Sequence, residues 1–450
     1  MTDFDGLAHY PLPLDRVPPD WAVASVGDLS VSVEPGFASG EHNLTGDGLP
    51  HIRPMNVTRA GTIDLQGVKS VPPGKSDKRL LLGDVVFNNT NSPPLVGKTA
   101  VFRREGDFGF SNHMTRITPT AGISPEFLAY QLHYLWSAGY FRHLCTNHVN
   151  QASVSSIRLA KAVPVLAPPL AEQERIVAAI DEHFSHLDAA DGLLDRVERN
   201  LSRLWRADLA KAFSSEWPRR VLAEMTSPDR PICYGILKPR TDRPGKVPYV
   251  EVRSIKDGQI DIKSLHLTTE ELHAEFRRSE LAGGDVVLAI RGSWDRAAVV
   301  PDALAGANVS RDVARIAPKP EHLDSRYLAL FLQGPEAARY FGKHARGVAV
   351  KGVNIGDLRK LPIPSPSLPE QARLVELAEG KHIMIDRARR EVVRARTQGR
   401  SLRWAVLYAA FAGRLVPQDH AKEPASAPAS ERIRQGAPGE KPPAREKTLG

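Results

Sequence analysis

Two textures of apolar residues alternate along this chain, and each occurs twice. The first is a set of short runs bounded by glycine, proline and aspartate, such as Val85-Val86-Phe87, Thr99-Ala100-Val101-Phe102, Val286-Val287-Leu288 and Ala298-Val299-Val300. Runs of that length, rich in β-branched residues, predict strands. Amphipathic segments follow at 125–143 and 325–344, the first carrying Phe127, Tyr130, Leu132 and Tyr134 at helical spacing. With Pro125 and Ser325 at their starts they predict helices. Proline-punctuated strands at 163–169 and 361–366 close each region.

The second texture begins beyond those prolines. From 171 to 213 there is no proline, and Ile176, Ile180, Phe184, Leu187, Leu194, Val197, Leu201 and Leu204 recur at spacings of three and four, with one position skipped at Asp191. That is a coiled-coil-like seam. Residues 370–411 repeat it through Leu374, Ala378, Ile385, Val392, Ala395 and Leu402. A helix of about 40 residues reaches about 60 Å, and its stripe must be buried somewhere. The two long helices are therefore expected to pack on each other and to hold the α/β regions apart.

The alternation is a sequence duplication. Leu170-Ala171-Glu172-Gln173 is answered by Leu368-Pro369-Glu370-Gln371 at a separation of 198 residues, which also relates Ile157 to Ile355, Pro164 to Pro362 and Phe213 to Phe411. Further upstream, with small insertions, Gly61-Thr62-Ile63-Asp64 matches Gly258-Gln259-Ile260-Asp261, and Gly83-Asp84-Val85-Val86 matches Gly284-Asp285-Val286-Val287. A period this long is not that of a solenoid. It predicts an α/β (α+β) protein with a pseudo-two-fold internal repeat, suited to a target with two parts.

Composition narrows the function. The 60 lysines and arginines exceed the 52 acidic residues, giving a net charge of +8, and a basic chain favours a polyanionic partner such as nucleic acid. Only Cys145 and Cys233 are present, so a reducing, cytoplasmic setting is expected and no disulfide framework. No apolar run is long enough to span a bilayer, and the acidic start Met1-Thr2-Asp3 predicts no signal peptide.

Three motifs offer catalytic or metal chemistry and fall short of it. Gly97-Lys98-Thr99 ends like a phosphate-binding loop, but the glycine needed five positions before Gly97 is Ser92; a turn with an exposed lysine is expected. Asn91-Ser92-Pro93-Pro94-Leu95 has a serine inserted and no aromatic where an amino-methyltransferase motif needs one, and no glycine-rich cofactor loop follows a strand. His143, Cys145 and His148 lack the fourth ligand of a structural zinc site. No metal site and no catalytic residue is assigned.

The loops beside the predicted strands are more informative. In the first copy the candidate DNA-binding residues are Arg53, Asn56, Asn89, Asn91, Lys98, Asn112 and His113. In the second they are Arg253, Lys256, Arg291, Ser293, Trp294, Arg296, Arg311 and Lys351. Amides and guanidinium groups make bidentate contacts to base edges, while lysine and serine more often meet phosphate. The frame repeats while the loop side chains differ.

With the doubled Pro-Leu-x-Glu-Gln signature at Pro169–Gln173, its variant Ser367-Leu368-Pro369-Glu370-Gln371, and long helices ending in Ala212-Phe213 and Ala410-Phe411, the chain resembles the specificity subunits of type I restriction–modification systems over about residues 21–416. The resemblance implies two target-recognition domains, each reading half of a bipartite, asymmetric DNA sequence, with two long antiparallel helices as the spacer. It implies boundaries at 1–165 and 216–364 for the recognition domains, 166–215 and 365–416 for the spacer helices, and 417–450 for a disordered tail. Glu172, Gln173, Phe213, Glu370, Gln371 and Phe411 are then candidates for spacer and subunit contacts. Two modification subunits would supply S-adenosylmethionine and adenine-N6 chemistry, and restriction subunits ATP- and Mg-dependent cleavage. The chain itself would be non-catalytic, without cofactor or membrane. The alternatives are a stand-alone DNA methyltransferase or nuclease, or a coiled-coil scaffold that binds proteins. His382 and Gly399 lie near the apolar face of the second long helix and depart from its pattern.

Overall fold

In each copy the first strand and the last strand meet. In the computed structural model Ala22–Ser25 pairs antiparallel with Pro164–Ala167, and Arg219–Val221 pairs in the same way with Pro362–Pro364. The structure describes residues 7–417 except 13, 15, 16, 75, 150, 214–216, 237–244, 293 and 348–350. The tail expected from residue 417 onward thus lies almost wholly outside the described residues.

Between those strands each copy builds a four-stranded antiparallel sheet. The order in the first copy is Ser30–Pro35, Met114–Pro119, Val85–Asn88, Thr99–Val101. In the second it is Cys233–Tyr234, Val313–Ile316, Val286–Ala289, Ala297–Val299. Registers correspond: Pro35 faces Thr115 and Tyr234 faces Ala314, while Val85 faces Ile117 and Val286 faces Ile316. A three-stranded sheet accompanies each, with Leu49–Ile52 or Val247–Val250 in the middle, one antiparallel neighbour and one parallel neighbour.

Alternation along the central strands explains the layering. Val85, Phe87 and Ile117 face a core shared with Phe127 and Leu128 of helix Pro125–Ser137, whereas Val86, Ala100 and Met114 face Ile52 and Phe110. In the second copy Val286 and Leu288 join Tyr327 and Leu328 of helix Ser325–Gln333, while Val287 and Ala298 face Val250 and Val309. Strands covered on both faces read as unbroken apolar runs, as these do.

The long helices are Leu170–Ala212, of 43 residues, and Leu368–Phe411, of 44. By packing, the described residues divide into a unit of those up to 192 with those from 396, and a second unit of those within 193–395. Each unit therefore holds one α/β head and a piece of both long helices. Within the first unit Arg403 pairs with Asp188 at 2.5 Å and lies over Phe184. Within the second, Lys381 binds Asp208 and His382 packs on Trp205. Within the second unit the higher number on one helix meets the lower on the other, so those two pieces run antiparallel. Of the expected stripe, Ile176, Ile180, Ala378, Ile385 and Val392 are buried, whereas Val197, Leu204 and Leu402 are exposed.

Two buried histidines make the first unit sensitive to acid. His51, on strand Leu49–Ile52, is pushed down to about 4 by burial, with His42 adding to the effect; burial pushes His133 down to about 4 as well. The unfolded chain protonates such groups near pH 6.5. Below that value it binds protons that the folded chain refuses, so stability falls as pH drops from about 6.5 to about 4. Tyr249 and Gln333 stand at the matching positions of the second copy. The variant His51→Tyr/His133→Gln is expected to flatten the acid dependence of urea unfolding between about pH 7 and pH 5; an unchanged slope would contradict it.

Candidate nucleic-acid interface

Three loops are tied together in each head by the same main-chain bonds. In the first copy Asn89 N donates to His113 O at 3.1 Å and Val154 N to Asn89 O at 2.9 Å. In the second, Ile290 N donates to Asp312 O and Val353 N to Ile290 O, both at 2.9 Å. A fourth segment crosses the same place. Phe37 N donates to Phe110 O and Asn112 N to Phe37 O, while Ile236 N donates to Val309 O and Arg311 N to Ile236 O. The crossing is close because Gly36 and Gly235 have no side chain: a Cβ at either would lie 2.1 Å from Phe110 O or 1.9 Å from Val309 O. The residues presented just beyond this frame are Asn112 and His113 in one head, Arg291 and Arg311 in the other.

Several candidates serve the frame rather than its surface. Asn89 is buried; its amide donates to Asn112 O at 3.1 Å and to Thr115 Oγ1 at 3.0 Å, and its oxygen accepts from Thr90 Oγ1. Asn56 is buried between Arg53 N and Asp64 O. Lys98, expected in an exposed turn, is 6 % exposed, and its ammonium donates to Pro54 O at 3.0 Å and to Val57 O. Burial, and then Arg59, hold its pKa below the usual lysine value. Paired carbonyls at the end of its stem turn it inward, so it holds the Pro54–Asn56 turn in place of a phosphate. Asn91 is half-buried, its side chain accepting from Ser92 N at 2.8 Å, and Arg53 and His113 are half-buried too. Asn112 is exposed.

The second head gathers cations. Asp312 lies between Arg291 and Arg311, with Nε to carboxylate distances of 3.5 and 3.7 Å. Lys351 joins them through Gly292 N, which donates to Lys351 O at 3.2 Å, and Arg291 bridges Gly352. Arg291, Arg311 and Lys351 are exposed. One carboxylate among three cations leaves the tip positive. Arg296 donates to Val252 O at 3.1 Å, and Trp294 packs on the core. Arg253 and Lys256 answer Glu251 and Asp261 at 3.0 and 2.9 Å. Ser293 lies outside the described residues.

The two glutamines of the Glu-Gln signature, candidates for spacer or subunit contact, are buried where each head meets the start of its own long helix. Gln173 accepts from Ser124 N at 2.8 Å and donates to Gly122 O and Pro168 O; Gln371 accepts from Asp324 N at 2.9 Å and donates to His322 O and Pro366 O. Each amide clamps its own head to the start of its own long helix. Glu172 is buried and accepts from Trp21 Nε1 at 3.1 Å, whereas Glu370 is tied to Arg373. Phe213 packs on Tyr327 and Phe331, and Phe411 on Phe127 and Tyr134. Each long helix thus begins on one head and ends in the core of the other unit.

The catalytic-looking motifs dissolve into local structure. Gly97 turns at φ 97° against the Phe141 ring, and Pro93–Leu95 is one 3-10 turn. His143 stacks on His9 at 3.8 Å, Cys145 Sγ donates to Arg142 O, and the His148 ring bonds Ser153. Among the described residues no group of three or more His, Cys, Asp or Glu is placed to hold a metal ion, and no helix is long and apolar enough to cross a membrane.

Residues 236–377 match the family model described as the type I restriction modification DNA specificity domain. The specificity subunit of the type I restriction enzyme EcoBI from Escherichia coli is 26% identical over 311 residues, covering 63% of this chain and 65% of that one. The StySPI specificity subunit from Salmonella potsdam is 23% identical over 434 residues, covering 91% and 92%. A chain of a solved type I restriction–modification system shares the fold at a TM-score of 0.66 and 18% identity, over 88% of this chain and 99% of that one. A duplicated α/β head joined to two long helices defines the class. Over most of its length the chain is similar to the specificity subunits of type I restriction–modification systems, and residues 236–377 carry their DNA specificity domain.

Proposed function

We propose that the chain is the DNA-recognition subunit of a type I restriction–modification complex, in which each head reads one half of a bipartite, asymmetric target. The observation that carries this is one frame with two different tips: identical main-chain ties present Asn112 and His113 in the first head and Arg291, Arg311 and Lys351 in the second. Guanidinium forks suit the O6 and N7 of guanine, and amides suit adenine. The chain binds double-stranded DNA and works without catalysis of its own. Two modification subunits bring S-adenosylmethionine and adenine-N6 methylation, and restriction subunits bring ATP, Mg and cleavage, in the cytoplasm.

The complex assembled with its modification subunits should bind its target with an affinity that falls steeply with salt as counterions are released. Arg291→Ala should lose about 1–3 kcal/mol of discrimination at a single base pair of one half-word, read by methylome sequencing of the host. Uniform weakening across all positions would assign Arg291 to the backbone instead. Failure to shift any duplex would point to the protein-binding scaffold, and methyl transfer by the isolated chain to the enzyme.

Both long helices run through both units, so their length sets the number of unread base pairs between half-words. Seven residues added to each helix lengthen it by about 10 Å, about three base-pair steps. The methylated motif should acquire a longer gap and keep both words; an unchanged gap would refute the spacer role.

A further inference from the structure

The internal duplication supplies its own control for one unusual pairing. Arg315, on strand Val313–Ile316, is 1 % exposed. Its guanidinium donates to the carbonyls of Arg230, Pro231 and Arg278 at 3.1, 3.0 and 2.9 Å, and to Cys233 Sγ at 3.4 Å; its Nε has no acceptor. No carboxylate among the described residues forms an ion pair with it. A cation taken out of water without an anion is costly.

The matching arginine of the first copy is not left so. Arg116 faces Glu34 across the sheet as Arg315 faces Cys233, each pair related to the other by 199 residues. Arg116 donates to Arg79 O at 2.6 Å, the counterpart of Arg278 O, and lies 3.5 Å from the Glu34 carboxylate. Cys233 therefore occupies the place of a counter-ion. It is half-exposed on the edge strand of its sheet and in no disulfide, and its thiol donates to Arg278 O at 3.4 Å.

We infer that Cys233 is a site of oxidative modification, at which a peroxide-class oxidant converts the thiol to a sulfinate that pairs with Arg315. In the first step the sulfur attacks a peroxide oxygen; the S–O bond forms, the O–O bond breaks, and the thiol proton leaves with the hydroxide as water. The sulfenic acid repeats the attack on a second peroxide, releasing water, and the sulfinic acid loses its proton to solvent. Two sulfur-bound oxygens then offer the guanidinium the forked acceptor that Glu34 offers Arg116. The strand runs on to Ile236, whose backbone holds Arg311, so the modification braces the second tip.

Treating the full chain with hydrogen peroxide and mapping its peptides by mass spectrometry tests this, with Cys145 as the internal reference. Cys233 should gain two oxygens about tenfold faster than Cys145, and the oxidised chain should melt about 2–4 °C higher. Cys233→Asp should reproduce the rise without peroxide, and Cys233→Ser should not. Equal oxidation of the two cysteines, or a lower melting point for Cys233→Asp, would overturn the inference.

Discussion

Gln173→Leu is expected to destabilise the chain by about 3–5 kcal/mol, and Gln371→Leu by a similar amount. Both amides are fully buried, and each makes three bonds to main-chain groups of its own head. Leucine fills much of the volume but leaves one N–H and two carbonyls without partners, at about 1–3 kcal/mol for each group left bare. Urea unfolding measures the loss, and a change below about 1 kcal/mol would show that water or a shifted loop replaces the amide. Glu370→Ala, beside the second clamp, removes only a solvent-screened pair with Arg373 and should leave the urea midpoint where it is.

The second large effect falls on one reading head. Gly235→Ala would place a methyl group 1.9 Å from Val309 O and 2.7 Å from Val309 C. Both are backbone atoms of a buried strand and cannot swing aside, so the two segments must part. Parting breaks the bonds from Ile236 N to Val309 O and from Arg311 N to Ile236 O. A cost of about 3 kcal/mol is expected, with Arg311 displaced from Asp312. Under the proposed function, discrimination within the second half-word should collapse while the first half-word is still read, a split that methylome sequencing resolves. Gly292→Ala tests whether any glycine near the tip matters equally: its Cβ meets open space, so only the strain of φ 79° remains, about 1–2 kcal/mol. Equal damage from both variants would mean that the close crossing is not what positions Arg311.

The strands, the two long helices and the doubling were legible because they rest on periodicity and on repeated words such as Gly83-Asp84-Val85-Val86. In that word Asp84 and Asp285 accept from Leu81 N and Ala282 N at 2.7 and 2.8 Å, which explains the repeat. The site was legible only in part. Arg291 and Arg311 are exposed as their loops suggested, but Lys98 and Asn89 look no different in sequence and are buried. What turns a polar side chain inward is the set of carbonyls it finds there, and residue type does not encode that. The repetition of Gln173 and Gln371 singled them out in the sequence, and the structure shows each as a clamp between a head and its long helix. Gly36 and Gly235 escaped notice, although they stand 199 residues apart, as do Ser111 and Ser310 in the strands they cross.

Phe411, Ala410 and Leu407 belong to the same buried cluster as Trp21, Val85 and Phe127. A ribosome delivers these contributions some four hundred residues apart, as the span from Trp21 to Phe411 requires. The first head therefore leaves the exit tunnel with part of its interior missing, and it stays incomplete until residues 407–411 have been made. Premature termination anywhere before residue 407 withholds the closing piece from a head whose own α/β residues were completed more than two hundred residues earlier.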